Sequence, residues 1–131
     1  MTAKLRAILD ELAADSGTVH LIGEDGHLHL AAAIGIPEAV RKIVEVVPVG
    51  KGMAGLAAER REPVHVCNIQ TDASGDVRPG ARATGLEGAI ALPMFRGDAV
   101  VGVLGVASHR ERTFTEIEIA RLLALGRELG A

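Results

Sequence analysis

The apolar residues near the N-terminus recur every three or four positions, which is the spacing of one face of a helix. The pattern begins behind Thr2, a good N-cap residue, and stops at Ser16-Gly17. Its members are Leu5, Ile8, Leu9, Leu12 and Ala13. The spacing predicts a first helix that buries one apolar stripe.

Shorter apolar runs separated by turn residues predict two β-hairpins. Residues 18–23 and 28–34 flank Asp25-Gly26, a pair that tolerates the positive φ of a tight turn. Residues 88–95 and 99–108 flank Arg96-Gly97-Asp98 in the same way. Two further short strands are predicted, at residues 46–49 and 64–67.

Further helices are predicted between and after these strands. Pro37 opens a short helix at 38–42, and a helix at 52–61 ends before Pro63. The last helix begins at a capping box of Thr115 and Glu118, and its apolar stripe is Ile119, Leu122, Leu123, Gly126 and Leu129. Phe114 is placed to pack against Ile119.

Residues 68–82 are rich in Asn, Asp, Ser, Gly and Pro, which predicts a long surface loop with one helical turn near Ala81. Loops of this length in compact domains are often functional. Because strands and helices are mixed without βα alternation, we expect an α+β domain with a mostly antiparallel sheet. A chain of 131 residues is the usual size of one domain, so residues 1–131 are predicted to form a single domain.

Composition removes several classes of function. The chain has no Trp or Tyr and only two Phe, so it offers little on which a nucleobase could stack. The net charge is −3 and no basic run stands out, which argues against nucleic-acid binding. There is no apolar run long enough for a membrane span and no signal-peptide pattern, which favours a cytoplasmic protein.

Nearly the whole chain resembles the GAF family of sensor domains. The segments that carry the resemblance are VGKGMAGLAAERREPVHV, GLEGAIALPM and VVGVLGVAS, together with Gly35 and Phe114-Thr115. Within them the matching positions are Gly50, Gly52, Gly55, Ala58, Pro63, Gly85, Pro93, Val101, Gly102, Leu104 and Ser108. The chain departs from the family at Asn68, where Asp is frequent, and at Gly88, where Ser is frequent.

The resemblance implies a central antiparallel sheet with the terminal helices on one face. On the other face, the central helix and the long loop would roof a ligand pocket. GAF domains bind ligands as different as cyclic nucleotides, bilins, haem, amino acids and nitrate, so the fold does not select one.

Two motifs have simpler explanations than catalysis or cofactor binding. Residues 50–55 spell G-x-G-x-x-G, but no βαβ unit surrounds them, so the glycines are predicted to turn the chain sharply into a helix. The N-terminus of that helix could still offer a weak anion site. His65 and Cys67 share one side of a strand, yet a metal site would need more ligands from scattered histidines. We therefore expect no metal or cofactor, and Cys67 as a small buried side chain.

One GAF subfamily reduces free methionine sulfoxide, and the resemblance allows this activity to be tested residue by residue. The subfamily's turn cysteine falls on Ala54, and its pocket acids fall on Ala89, Gly105 and Ala107. Cys67 is the only cysteine, so a thiol–disulfide cycle within one chain cannot run. The sequence therefore predicts a domain without catalytic activity.

The same substitutions predict where a ligand would bind. Ala89, Ala91, Gly105 and Ala107 share one face of two adjacent strands, whereas the bulky residues share the other. The predicted pocket lies on this small-residue face and adds Met53, Ala54, Cys67, Asn68, Arg78 and Arg82. Its ligand would be neutral or partly apolar, with any anionic part near Arg78, Arg82 or Gly52. Alternatively, Met53 and Leu56 fill the space.

Two functional classes remain open at this point. One is a ligand-sensing domain that signals through its contacts with a regulatory protein partner. The other is a dimerisation or interaction module whose pocket has collapsed. In both cases the apolar stripes of the first and last helices predict a homodimer.

Overall fold

The computed structural model describes residues 1–77 and 79–131. These residues form four α-helices and a six-stranded sheet. In chain order the elements are α1 (Thr2–Leu12), β1 (Ser16–Ile22), β2 (Leu28–Ile34), α2 (Glu38–Ile43), β3 (Val46–Val47), α3 (Gly52–Arg60), β4 (Val64–Val66), β5 (Ala89–Arg96), β6 (Ala99–Ala107) and α4 (Glu116–Gly130). A 3₁₀-helix, Pro79–Thr84, lies between β4 and β5.

The strands pair antiparallel in the order β3-β2-β1-β6-β5-β4. Both predicted hairpins are confirmed, and the pairing of β1 with β6 joins them into one sheet. That pairing links residues far apart in sequence, and it places the first hairpin beside the second. The predicted α+β class with an antiparallel sheet is therefore confirmed.

One face of the sheet carries the large side chains and is covered by the terminal helices, as predicted. Ile90, Leu92, Leu104 and Val106 form a single buried cluster with residues of α1 and α4. The helix residues in that cluster are Leu5, Ile8, Leu9, Leu12, Leu122, Leu125 and Leu129. Burial of this many aliphatic side chains, each worth about 1.5–3 kcal/mol, makes this face the main core of the domain.

The opposite face carries the small side chains and is divided between two coverings. At one end, Ala91 and Val103 pack with α3 through Ala57 and Ala58. At the other end, Ala89 and Ala107 pack with Val66 of β4, with Met53 of α3 and with the segment between β4 and β5, through Ile69, Leu86, Val77 and Ala81. The predicted helix and long loop thus both lie over this face.

The capping box of α4 is confirmed in detail. Thr115 Oγ1 accepts a hydrogen bond of 3.1 Å from the backbone N–H of Glu118, and Glu118 Oε1 accepts one of 3.0 Å from the backbone N–H of Thr115. Thr2, by contrast, does not cap α1, because the helix already begins at Thr2 and no side chain caps it.

Two predicted strands end earlier than expected. β3 stops at Val47 because Pro48 has no N–H for the ladder, and the Pro48 carbonyl instead accepts from Lys51 N in a turn. β4 stops at Val66, with its valines turned inward and His65 and Cys67 turned outward. The prediction that Cys67 is buried is wrong, because the inward positions of this edge strand belong to the valines.

None of the helices described here is long and apolar enough to cross a membrane.

Candidate functional site

A cavity of about 140 Å³ lies against the small-residue face of the sheet. It opens between the sheet, the first turn of α3 and the segment that precedes β5. Its lining residues are Ser16, Gly17, Thr18, Ile36, Met53, Ala54, Leu86, Ala89, Ile90, Ala91, Gly105, Val106 and Ala107. The lining is almost wholly aliphatic, and no charged side chain contributes to it.

The floor of the cavity is set by the register of β1, β5 and β6. Ala89 lies opposite Ala107, and Ala91 lies opposite Gly105. On the far side of β6, Ser16 and Thr18 of β1 lie opposite these two β6 residues. Three of the strands thus present small or hydroxyl side chains in two adjacent rows, which leaves the volume above them open.

Gly105 makes room for the side chain of Thr18 on the neighbouring strand. A Cβ atom built at this position would lie 2.6 Å from Thr18 Oγ1, far inside van der Waals contact. The space left by the missing side chain is therefore occupied by the hydroxyl group of Thr18. The floor at this point is polar, although the sequence pattern of β6 indicates an apolar one.

The roof is positioned by a tight turn that leads into α3. Gly50 donates its N–H to the carbonyl of Gly55 at 2.8 Å, and both Gly50 and Gly52 have positive φ. A side chain at Gly55 would meet the carbonyl of Pro48, so the helix packs directly against the turn. This geometry brings Met53 and Ala54 over the cavity. The structure agrees with the interpretation of these glycines as turn residues.

Six of the predicted site residues line the cavity together: Met53, Ala54, Ala89, Ala91, Gly105 and Ala107. Cys67, Asn68 and Arg82 do not line it, and Arg78 lies outside the described residues. Asn68 and Arg82 were grouped with the pocket because the long loop, residues 68–82, was expected to roof it. Of the segment before β5, only Leu86, which follows the loop, lines the cavity.

Asn68 is used within the protein rather than at the cavity. Its side-chain amide donates to the carboxylates of Glu87 at 3.2 Å and Glu111 at 3.0 Å, and its Oδ1 accepts from Gln70 N at 2.9 Å. These bonds tie the start of the long loop to the strands and to the segment after β6. Both the amide nitrogen and the oxygen of the Asn68 side chain are thus hydrogen-bonded to neighbouring protein groups.

Arg82 is exposed and holds the loop closed on itself. Its guanidinium donates to the carbonyl of Asp72 at 3.1 Å, and Gln70 Nε2 donates to the Arg82 carbonyl at 3.1 Å. A second link comes from Arg60 of α3, whose guanidinium donates to both carboxylate oxygens of Asp76 at 3.1 and 3.3 Å. The loop is thus fastened to the C-terminal end of α3.

The sequence reasoning missed Ser16, Thr18, Ile36 and Leu86. Side chains alternate along a strand, so the sequence does place Ser16 and Thr18 on the same face of β1. Whether that face is turned to the cavity or to the main core depends on the pairing of β1 with β6. Ile36 and Leu86 lie in connecting segments, where no periodicity indicates the direction of a side chain.

His20 continues the same row of β1 beyond the cavity. It is 3% exposed, and its Nε2–H donates to the carbonyl of Val44 at 2.8 Å. Its Nδ1 is buried without a hydrogen-bond partner among the described residues. Burial lowers the pKa of His20, the bond to the Val44 carbonyl opposes this shift, and nearby His29 adds to the lowering. The ring is therefore held in its neutral form.

Within residues 1–77 and 79–131, no cluster of three or more His, Cys, Asp and Glu side chains is arranged to hold a metal ion.

The chain belongs to the GAF family, because the profile of the family described as "GAF domain" covers residues 1–131. No curated protein matches the chain. Among solved structures, the GAF domain of an Acinetobacter phosphoenolpyruvate-protein phosphotransferase superimposes with a TM-score of 0.80 and 20% identity, covering 98% of this chain and 75% of that one.

Two other solved structures with this fold come from different kinds of protein. A domain of a putative two-component sensor histidine kinase from Sinorhizobium meliloti has a TM-score of 0.78 and 23% identity, covering 98% of this chain and 83% of the other. The free methionine-R-sulfoxide reductase from Neisseria meningitidis, solved with its substrate, has a TM-score of 0.78 and 20% identity, covering 98% of this chain and 72% of the reductase. At these identities the likeness establishes the fold alone.

Proposed function

We propose that this GAF domain is a non-catalytic sensor that binds a small molecule in the cavity on the small-residue face. The observation that carries the proposal is the open cavity of about 140 Å³, because small-molecule sites are concave and mostly apolar with a few polar groups. Sensor kinases are among the proteins that contain this fold, which is consistent with a regulatory role. The contacts of α3 and Leu86 with the cavity offer a route by which a ligand could alter the surface.

The absence of catalysis is part of the proposal and rests on the side chains around the cavity. Ala54, Ala89, Gly105 and Ala107, the positions that the resemblance equates with reductase chemistry, line the cavity and carry no reactive group. Cys67 is exposed on the outer side of the edge strand β4 and does not line the cavity. At the positions that the resemblance equates with reductase chemistry, this chain thus offers no nucleophile and no acid.

The competing function is an interaction module in which the pocket has collapsed. Part of the small-residue face does carry packed side chains, since Ala91 lies under α3 with Ala57 and Ala58. The open volume beside Ala89 and Ala107 favours the sensor, because it remains although Met53 of α3 packs against the same cluster. The two functions make opposite predictions for ligand binding.

A thermal-shift screen with a metabolite library tests the proposal. A ligand at 100 times its Kd adds about 2.7 kcal/mol to the unfolding free energy, which is readily measured. The site control is Ala107→Leu, which should abolish the shift if the ligand occupies the cavity. A full screen without a shift, or shifts that Ala107→Leu leaves intact, would contradict the proposal.

We also propose that the domain forms a homodimer through α1 and α4, by which it could contact a regulatory protein partner. Most apolar residues of both helices are buried on the sheet, but Ile117 of α4 is 83% exposed. Beside it, Arg121 of α4 pairs with Glu11 of α1 at 2.7 Å, so the two helices form one surface. Light scattering at micromolar concentration should give twice the mass of one chain, and Ile117→Glu should lower it. The mass of a monomer would reject the dimer.

The cytoplasmic location stays a prediction.

A further inference from the structure

Three exposed arginines from different elements converge around the ring of Phe95 at one end of the sheet. The guanidinium carbon of Arg61, directly after α3, lies 5.5 Å from the ring centroid, and that of Arg127, in the last turn of α4, lies 5.2 Å from it. Arg96 follows Phe95 in β5. We call these four residues the Phe95 arginine cluster. None of them lines the cavity or the groove between α1 and α4.

Two of the arginine side chains are held in place by backbone carbonyls. The guanidinium of Arg61 donates to the carbonyl of Asp98 at 2.5 Å, and Nε of Arg96 donates to the carbonyl of Gly130 at 2.8 Å. A guanidinium group has five N–H donors, so most donors of the cluster remain free for a partner. Because the anchors already restrict these side chains, they lose less conformational entropy when a partner binds.

The positive charge of the cluster has no ion-pair partner within the described part of the chain, where the salt bridges of arginine involve other positions. Two acidic residues next to the cluster in sequence lie beside other arginines. Glu128 lines the groove between α1 and α4 together with Arg121. The hydrogen bond and charge of Asp76 raise the pKa of Arg60, and the charge of nearby Glu62 adds to this. The cluster is therefore a locally cationic surface on an acidic chain.

The spacing of these cations suits carboxylates on a peptide. Both distances are measured to the same ring, so the guanidinium carbons of Arg61 and Arg127 lie no more than about 11 Å apart, comparable to the Debye length in physiological salt. Carboxylates on alternate residues of an extended chain are about 6.6 Å apart, so two of them fit within this span. The cluster is exposed rather than enclosed, which favours a peptide over a single small anion. The net charge of −3 and the scarcity of aromatic residues disfavour a nucleic acid.

We propose that the Phe95 arginine cluster is a docking surface for an acidic peptide segment of a partner protein. Carboxylates of the segment pair with the guanidinium groups of Arg61 and Arg127, and its apolar atoms cover the exposed part of the Phe95 ring. The surface is separate from the cavity. The inference therefore goes beyond the proposed function and does not depend on ligand binding.

The test uses the whole chain and a short fluorescein-labelled peptide in which glutamates alternate with leucines. The matched peptide has glutamine in place of each glutamate and carries the same label. In anisotropy titrations we expect the acidic peptide to bind at least about tenfold more tightly, because hydrogen bonds between charged groups are the stronger ones. The net charge of −3 opposes this preference, so the preference can only come from a local surface. Added salt should weaken the binding by screening exposed charges.

Arg127→Gln is the variant that locates the surface. Because Arg127 is exposed, the variant should fold like the parent, and we expect it to weaken the acidic peptide about five- to tenfold. Arg121→Gln is the matched control, since it removes the same charge from the same helix outside the cluster. It should change the affinity less than about twofold, because exposed charges at a distance are screened.

Several results would overturn the proposal. The first is no binding of the acidic peptide, or equal binding of the two peptides. The second is an equal loss of affinity in Arg127→Gln and Arg121→Gln. The third is displacement of the peptide by inorganic phosphate at constant ionic strength, which would indicate a site for a small anion. Finally, a DNA duplex that binds more tightly than the peptide, and that Arg127→Gln weakens, would assign the surface to nucleic acid.

Discussion

The Nε2–H group of His20 donates a hydrogen bond of 2.8 Å to the backbone carbonyl of Val44, which ties β1 to the C-terminal end of α2. Because Nε2 is the donor, Nδ1 of the neutral ring is left as an acceptor, and it is buried without a partner among the described residues. The imidazole therefore holds the C-terminal end of α2 against β1 from within the core.

This contact predicts a loss of stability in mild acid. Burial lowers the pKa of His20 below its usual 6.5, so between these two values the unfolded chain binds a proton that the folded one does not. The contribution is fully present above pH 6.5 and is lost as the pH falls towards the folded pKa. The unfolding free energy should decrease by at most about 1.4 kcal/mol per pH unit through this group.

Urea unfolding at pH 7.5, 6.5 and 5.5 measures this slope. His20→Gln, which keeps a donor near the Val44 carbonyl but does not titrate, should flatten the profile. His27→Gln is the matched control, because His27 is exposed, and it should leave the slope unchanged. If His20→Gln keeps the slope of the parent, the buried imidazole is not its source.

Ala107→Leu should be tolerated, because the added atoms enter the open volume on the small-residue face. We expect an unfolding free energy within about 1 kcal/mol of the parent, together with loss of ligand binding. Ala57→Leu is the matched control, because Ala57 is fully buried in the packed cluster under α3. Overpacking there should cost about 1–3 kcal/mol. Equal destabilisation of the two variants in urea unfolding would show that the cavity is closed in solution.

Arg112 should be one of the most sensitive charged positions in the chain. Its guanidinium donates to Glu118 Oε2 at 2.7 Å and to Ser108 Oγ at 3.4 Å, and it stacks on the ring of Phe114 at 4.5 Å. Arg112→Lys keeps the charge but loses the planar fork and the stacking, so we expect a cost of about 1–3 kcal/mol.

The matched control for Arg112 is Arg121→Lys. Arg121 pairs with Glu11 at 2.7 Å, but both side chains are nearly half exposed, so the melting temperature should not change measurably. Differential scanning calorimetry of both variants compares the two sites directly. A similar melting temperature for both variants would mean that the contacts of Arg112 contribute little to the folded state.

Reduction of free methionine-(R)-sulfoxide should be absent. Ala54 replaces the turn cysteine, and Cys67 lies outside the cavity on the exposed side of β4. A coupled assay that follows NADPH oxidation measures the activity, and the background rate without enzyme is the reference. Turnover above this background that is abolished by Cys67→Ser would show that the exposed cysteine is catalytic after all.

Much of the fold follows from local patterns in the sequence. The capping box of Thr115 and Glu118 is a local hydrogen-bond arrangement, so its spacing alone predicts the start of α4. Side chains alternate along a strand, so the sequence places Ile90 and Leu92 on one face of β5 and Ala89 and Ala91 on the other. The large side chains pack against the terminal helices, as this predicts.

Where Asn68 and Thr18 lie relative to the cavity depends on contacts distant in sequence. Asn68 is bound by Glu87 and Glu111, which reach it only because β4 and β6 flank the same strand, β5. Thr18 reaches the cavity through the pairing of β1 with β6, which no local spacing encodes. The sequence by itself thus determines which strand faces are small. Only the tertiary structure decides that α3 covers Ala91 while the space beside Ala107 stays open, because the approach of a helix depends on the packing of the whole sheet and its connections.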